Sequence, residues 1–191
     1  AKNTPSSNPT MKRPSFLYEG GLTAAEKGTA LHLFMQYSDF KKAKLNVKEH
    51  VDNLKNNGFL TLEQANAMDI DRLNVLFQSP LMDRLLSSNN ILREFRFTIN
   101  ILPKELDPSL SAYDDNIILQ GAIDCAFEEN GEYIIVDYKT DKVKSMDELV
   151  KRYGEQLKLY KIALEQCLKK GVKECIIYSI YLGNSISLNN Y

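Results

Sequence analysis

Apolar and polar residues alternate on both sides of an Asn-Gly pair at positions 130–131. Alternation with a period of two is typical of a β-strand, and an Asn-Gly pair between two such stretches predicts a tight β-hairpin. Side chains along a strand point to opposite faces in turn, so Asp137 and Lys139 share one face of the second predicted strand. Asp124 lies on the first strand. The hairpin therefore presents two acids and one base on a rigid scaffold, an arrangement that can bind a metal ion and activate water.

A second period-two pattern, at residues 91–101, predicts another strand. Its odd-numbered positions include Phe95 and Phe97, which predicts that they form one continuous core face. Glu94 then faces the more polar side. From the residues alone, Glu94 is either one member of a surface Glu–Arg pair or a functional acid.

Apolar residues at helical spacing predict a helix that begins after Thr23, where Thr23 and Glu26 form a capping box, and runs to about Gln36. His32 lies on its apolar stripe and should point inward. A lone His on such a stripe is more often a hydrogen-bonded core residue than a ligand. Residues 46–87 predict a series of short helices packed beside the sheet.

The long amphipathic pattern after the hairpin predicts a helix, which Ser145 and Glu148 should begin with a second capping box. A polar stripe on this helix consists of Tyr153, Gln156 and Tyr160. Such a stripe is more often packing than function. Residues 174–182 are apolar on both faces and predict a central closing strand that pairs parallel to the hairpin strand.

Composition narrows the class of protein. A chain of 191 residues with an ordinary apolar fraction is expected to fold as one globular domain, and its net charge of −1 does not by itself indicate a nucleic-acid partner. No apolar run approaches the roughly 18–20 residues of a membrane helix, and no leader is recognisable. Three scattered cysteines predict reduced thiols and a cytoplasmic location. Residues 1–15, rich in Pro, Ser and Asn, predict a linker.

Four motifs in order resemble those of the PD-(D/E)xK nucleases, and within them the RecB-like branch. They are the Leu22–His32 run, Gly121-x-x-Asp124, Asp137-Tyr138-Lys139 and Gln156-x-x-x-Tyr160. The first is similar to the start of the nuclease domain of a bacterial helicase–nuclease that repairs double-strand breaks. The resemblance implies a restriction-endonuclease-like α/β fold. In that fold a mixed central sheet is flanked by helices. For this chain the resemblance implies a domain spanning residues 16–191, which consists of a helical region at about 46–88 and a nuclease core at about 91–191.

The resemblance also implies roles for individual residues. Asp124, Asp137, Lys139 and Glu94 would be catalytic. Mg²⁺, or alternatively Mn²⁺, would be held by His32, Asp124, Asp137 and the main-chain carbonyl of Tyr138, with Glu94 as a second or water-mediated ligand. Tyr153, Gln156 and Tyr160 would hold the DNA backbone or orient Lys139. Three cysteines cannot supply the four thiolates of the iron–sulfur cluster that some RecB-like nucleases carry.

The implied substrate is DNA, as a single strand at or from a duplex end, and the implied partners are a helicase portion of the same parent chain and a second subunit. The chain has no G-x-x-x-x-G-K-[ST] loop, so no ATP site is expected in it. Two alternatives stay open. One is a non-catalytic module that guides DNA or braces a partner subunit, and the other is a stand-alone structure-specific endonuclease.

Overall fold

One five-stranded sheet organises the protein. The structure, a computed structural model, describes residues 21–106, 109, 112 and 115–188, so the predicted linker at residues 1–15 lies outside the described residues. The strands are β1 (Ile91–Ile101), β2 (Ile117–Glu129), β3 (Glu132–Lys139), β4 (Val172–Ser179) and β5 (Asn184–Leu188). They lie side by side in chain order. β3 and β4 pair in parallel and the other neighbours are antiparallel.

Helices cover both faces of this sheet. One face carries α1 (Ala24–Tyr37), α2 (Phe40–Leu45), α3 (Val47–Asn56), α4 (Leu62–Asn66), α5 (Ile70–Phe77) and α6 (Pro80–Ser87). A short turn of helix, α7 (Pro103–Leu106), follows β1, and α8 (Met146–Leu168) connects β3 to β4 across the other face. The mixed α/β sheet flanked by helices is therefore confirmed. No helix in the described ranges is long and apolar enough to cross a membrane.

Two hydrophobic cores hold the layers together, and β3 contributes to both. Ile134 and Val136 pack toward the six-helix layer, while Tyr133 and Ile135 pack toward α8. Burial of each such side chain contributes roughly 1.5–3 kcal/mol to folding, so a strand buried on both faces is a strongly anchored element. A charged residue on β3 is consequently held in place by its apolar neighbours.

The predicted turns and caps are mostly confirmed. Asn130 and Gly131 have φ values of 56° and 87°, as a two-residue turn between antiparallel strands requires. Thr23 and Glu26 form both hydrogen bonds of a capping box at the start of α1.

Three expectations about element boundaries were wrong. Ser145 lies at the N-cap of α8 but makes no side-chain cap bond, and the Glu148 carboxylate accepts from the Lys144 N–H at 3.3 Å. The closing strand stops at Ser179, and the chain turns at residues 180–183 into β5, whose short polar sequence gives little period-two signal. The series of short helices begins with α2 at Phe40 rather than at residue 46.

The predicted continuous core face of β1 was also wrong. Phe95, Phe97 and Ile99 pack against α8, but Ile91 packs with the six-helix layer. The change occurs at Glu94, whose φ of 47° is uncommon for a residue with a side chain and interrupts the alternation.

Candidate active site

Three carboxylates, those of Glu94 on β1, Asp124 on β2 and Asp137 on β3, form a row across neighbouring strands of the sheet. Each residue of β1 pairs with a residue of β2 except Glu94, which lies opposite Asp124 where the pairing is interrupted. The β2–β3 ladder ends at Cys125–Val136, so the next facing positions are Asp124 and Asp137. Beyond the ladder, the Tyr138 N–H donates to Asp124 Oδ2 at 2.9 Å. The Asp124 carboxylate thus takes the place of a main-chain acceptor beyond the end of the β2–β3 ladder, and this bond fixes the position of its Oδ2 atom.

Three of the predicted site residues form a tight cluster. His32 on α1, Glu94 and Asp124 each offer a ligand atom, and these atoms all lie within 4.8 Å of one another. His32 Nδ1 is 3.2 Å from Asp124 Oδ1, and the His32 side chain is 33% exposed. The hydrogen bond to Asp124 is the main cause that raises the pKa of His32. A partly exposed imidazole facing carboxylates favours the ligand hypothesis over a purely structural core histidine.

Glu94 is held in this cluster despite unfavourable electrostatics. Burial, followed by the nearby charge of Asp124, raises the pKa of the Glu94 carboxyl. Its left-handed backbone adds strain, which folded proteins store mainly at functional sites. The surface Glu–Arg pair considered from the sequence does not describe this environment, in which Glu94 lies with His32 and Asp124.

Asp137 is the most buried acid of the row, at 2% exposure, and it lies outside the tight cluster. Its Oδ2 is 2.7 Å from Lys139 Nζ, but the atom accepts no hydrogen bond with acceptable angles among the described residues. Burial, reinforced by the charge of Asp124, raises the pKa of Asp137 to about 6. Lys139 therefore forms its ion pair with Asp137, on its own strand.

The polar stripe of α8 lies against Lys139. Lys139 Nζ donates to Gln156 Oε1 at 3.2 Å, and Gln156 Nε2 donates to the Tyr160 hydroxyl at 2.8 Å. The same ammonium lies 4.0 Å from the centroid of the Tyr153 ring, within cation–π range. These contacts restrict the position of Lys139, which is 13% exposed.

Tyr138 turns its side chain away from the site, into the core beneath the six-helix layer. Only its main chain borders the carboxylate row, through the N–H bonded to Asp124. The sequence had suggested its carbonyl as a ligand and missed this N–H contact. A hairpin register counted outward from the Asn-Gly turn would have predicted that Asp124 and Asp137 lie opposite each other, one pair beyond the end of the ladder.

The residues present fit a divalent cation. Three carboxylates face one lysine and one histidine, and a buried Asp137 oxygen is left without a hydrogen bond. Ligands on opposite sides of Mg²⁺ lie roughly 4 Å apart, which the cluster of ligand atoms within 4.8 Å can accommodate after small adjustments. Carboxylate oxygens suit Mg²⁺, and one imidazole is compatible with Mn²⁺.

Comparisons with known proteins match this arrangement to a family. The sequence profile of the PD-(D/E)XK nuclease superfamily matches residues 13–183. AddA, the ATP-dependent helicase/nuclease subunit of Clostridium botulinum (strain 657 / Type Ba4), is 37% identical over 94% of this chain and 14% of its own length. The protein of the same name from Thermoanaerobacter sp. (strain X514) is 40% identical over 91% of this chain and 15% of its own length.

The chain therefore spans about one seventh of the length of these curated relatives. A solved structure, the crystal structure of SSO0001, is 15% identical over 83% of this chain and 64% of that one, with a TM-score of 0.39. A likeness at that level does not bear on function.

Proposed function

This chain belongs to the PD-(D/E)XK nuclease superfamily, and we propose that it is the DNA-cleaving nuclease domain of an AddA-type helicase/nuclease. The observation that carries the proposal is the row of Glu94, Asp124 and Asp137 beside Lys139, with a carboxylate excess that a divalent cation would neutralise. The reaction is hydrolysis of DNA phosphodiester bonds.

The proposed ligands of Mg²⁺ or Mn²⁺ are His32, Asp124, Asp137 and the main-chain carbonyl of Tyr138, with Glu94 bound directly or through water. A cation held there would polarise the phosphate, lower the pKa of water and offset negative charge in the transition state. The Tyr138 N–H holds Asp124 Oδ2, which leaves Oδ1 on the side of His32.

Lys139 is the proposed catalytic cation. Its ammonium either orients the attacking water or stabilises the negative charge that develops on the phosphate oxygens. Asp137 Oδ2 lies 2.7 Å from the ammonium, and Gln156 and Tyr153 restrict its direction. The Tyr160 hydroxyl in turn accepts from Gln156, so we assign the α8 stripe mainly to the positioning of Lys139.

The names and lengths of the relatives support a proposal about the larger assembly. Because the relatives are named as helicase/nuclease subunits and the chain matches 14–15% of their length, we propose that residues 16–191 form one domain attached to a helicase portion. The substrate would be a single strand delivered from a duplex end, cut by exonuclease action. An AddB-type subunit is the proposed partner of the parent protein.

Incubating the purified chain with linear single- and double-stranded DNA, in Mg²⁺, Mn²⁺ or EDTA, tests this function. We expect cleavage with either metal ion and none in EDTA. Asp124→Asn keeps an acceptor for the Tyr138 N–H but removes the charge, and should lower the rate by at least about 100-fold. Absence of cleavage by the wild-type chain under every metal condition would favour the non-catalytic guiding or bracing module.

The cleavage products distinguish an exonuclease from the remaining alternative, a stand-alone structure-specific endonuclease. Short oligonucleotides released from ends indicate exonuclease action, and unchanged cleavage of circular DNA carrying a flap or junction indicates a structure-specific endonuclease. Circular and linear substrates of the same sequence are therefore the matched pair for this assay.

A further inference from the structure

A groove of about 820 Å³ opens next to the carboxylate row, bounded by α1, α5 and the chain that follows β3 and β4. We propose that this α1–α5 groove binds single-stranded DNA and leads it to the site. The proposal rests on the function proposed above and adds the route of the substrate and the residues that hold it. The volume of the groove lies within the roughly 300–1,000 Å³ that binding clefts occupy.

The groove is continuous with the site through two elements. Thr140 and Asp141, which line it, directly follow Lys139, and the Ile180 N–H donates to the Lys139 carbonyl at 2.9 Å. On the opposite wall, Gly28 lies one helical turn before His32. A Cβ at Gly28 would lie 3.3 Å from Thr140 Oγ1, so the helix approaches the end of β3 closely there. The groove therefore borders the two segments that carry the site residues Lys139 and His32.

The charges that line the groove leave a positive balance. Asp69 is paired with Arg72 at 3.4 Å, and Asp141 with Arg152 at 3.3 Å. Lys27 and Lys142 are exposed and line the groove, and neither has an ion-pair partner within the described part of the chain. The charged residues that line the groove are Lys27, Arg72 and Lys142 against Asp69 and Asp141, three positive and two negative, and the two exposed ammonium groups provide contacts for two phosphates, although the net charge of the whole chain is −1.

An aromatic platform distinguishes the groove from a merely basic surface. Tyr181 lines it, and the Arg72 guanidinium carbon lies 4.4 Å from the centroid of the Tyr181 ring. Stacked aromatic and guanidinium groups bind the faces of unpaired bases, which are inaccessible in a duplex. The apolar side chains of Met68, Leu73 and Ile180 extend the same lining. The combination is suited to a single strand, whose bases and phosphates are both accessible.

Binding is tested in EDTA, where no cleavage can occur, by fluorescence anisotropy of a labelled oligothymidine across a range of salt concentrations. Tyr181→Ala should weaken binding by about 5- to 150-fold, the range for loss of one stacked base, while Tyr181→Phe should bind as the wild type does. Lys27→Gln with Lys142→Gln should reduce the slope of log K against log salt by about 1.4, since a single strand contributes about 0.7 per phosphate.

The control is Lys41→Gln with Lys104→Gln, which removes the same charge from two exposed lysines outside the groove. Unchanged affinity and salt slope in both groove variants would overturn the proposal, as would equal losses in the control. Thermal melts of every variant establish that the fold is retained, and the salt slope of the Lys27→Gln, Lys142→Gln variant tests the proposal if the alanine variant unfolds. Failure of the proposed nuclease function appears separately, as DNA left intact by the wild-type chain with Mg²⁺ and Mn²⁺.

Discussion

The two ends of the β2–β3 hairpin carry similar charged residues that differ in charge balance and in burial. At the turn end, Glu128, Glu129 and Glu174 face an equal number of cations, which are Arg84, Lys170 and Lys173. These groups are partly exposed, and every carboxylate has a partner. At the other end, where Glu94, Asp124 and Asp137 lie together, the ion-pair contacts within the described ranges are Asp124 with His32 and Asp137 with Lys139, and Asp137 is almost fully buried.

This difference separates charges that stabilise the fold from charges that serve chemistry. Paired, solvated groups at the turn end contribute modestly to stability and need no further ion. Buried, unbalanced groups at the site end lower stability unless a cation arrives, and proteins retain such arrangements mainly where function requires them. Substitutions at the two ends should therefore affect different measurements.

The largest expected effect is on catalysis at the site end. Lys139→Met removes the ammonium group beside the carboxylate row and should reduce DNA cleavage by about 100-fold or more, the loss typical for one transition-state stabiliser. The measurement is single-turnover cleavage of single-stranded DNA in Mg²⁺. Lys151→Met, at an exposed position on the same helix as the Tyr153 stripe, should keep the wild-type rate. A Lys139→Met enzyme as fast as this control would rule out the catalytic role.

The next effect is on stability in the presence of metal. A cation that binds only the folded state at 100 times its Kd stabilises by about 2.7 kcal/mol, so Mn²⁺ should raise the melting temperature of the wild type. Asp124→Asn should show little of this rise, because the cation loses a charged ligand. Arg84→Met, at the turn end, should retain it in full. An equal rise in all three proteins would mean that Mn²⁺ binds elsewhere.

A smaller effect is expected on stability at the turn end. Arg84 pairs with Glu129 at 3.1 Å and with Glu174 at 2.6 Å, so Arg84→Met leaves two carboxylates without their shared partner. The free energy of unfolding should fall by about 1–2 kcal/mol in urea titrations, since a network exceeds an isolated surface pair. Lys104→Met should be nearly neutral, and cleavage by Arg84→Met should equal that of the wild type.

The smallest effect is a pH dependence at the same end. Arg84, followed by Lys173, lowers the pKa of Glu129 to about 2. A carboxyl whose pKa is lowered by folding stabilises the protein above its ordinary pKa, and this contribution disappears as the pH falls toward 2. Glu129→Gln should therefore melt below the wild type at pH 7, with a difference that shrinks below about pH 4.5. In an Arg84→Met background the difference should be smaller at every pH.

Several features of the site were predictable from short stretches of sequence. The Asn-Gly turn determined the hairpin, and the spacing of Asp137 and Lys139 placed both on one face of a strand. The helical spacing of Tyr153, Gln156 and Tyr160 predicted the stripe that lies against Lys139. These predictions succeeded because they depend on local periodicity, which is nearly independent of the rest of the fold.

Other features depended on contacts between distant segments. The interruption of β1 at Glu94 has no clear local signal, because a positive φ at a glutamate is unfavourable in isolation and persists only where the surrounding structure imposes it. The path of the chain after β3 likewise sets the start of α8, where the Glu148 carboxylate bonds to the Lys144 N–H and Ser145 forms no side-chain cap bond. β5 escaped prediction because pairing with β4, rather than strand propensity, defines it.

The sequence by itself determined most of the elements, the order of the four motifs and the residue types at the site, because hydrophobic period and turn chemistry act over a few residues. Only the tertiary structure decided the partners: Asp124 with His32 and the Tyr138 N–H, and Asp137 with Lys139. It also decided that α1, α5 and the ends of β3 and β4 enclose a groove beside them. The physical reason is that charge pairing and enclosed volume depend on distances between segments that are far apart in the chain. Strand register and side-chain packing determine those distances.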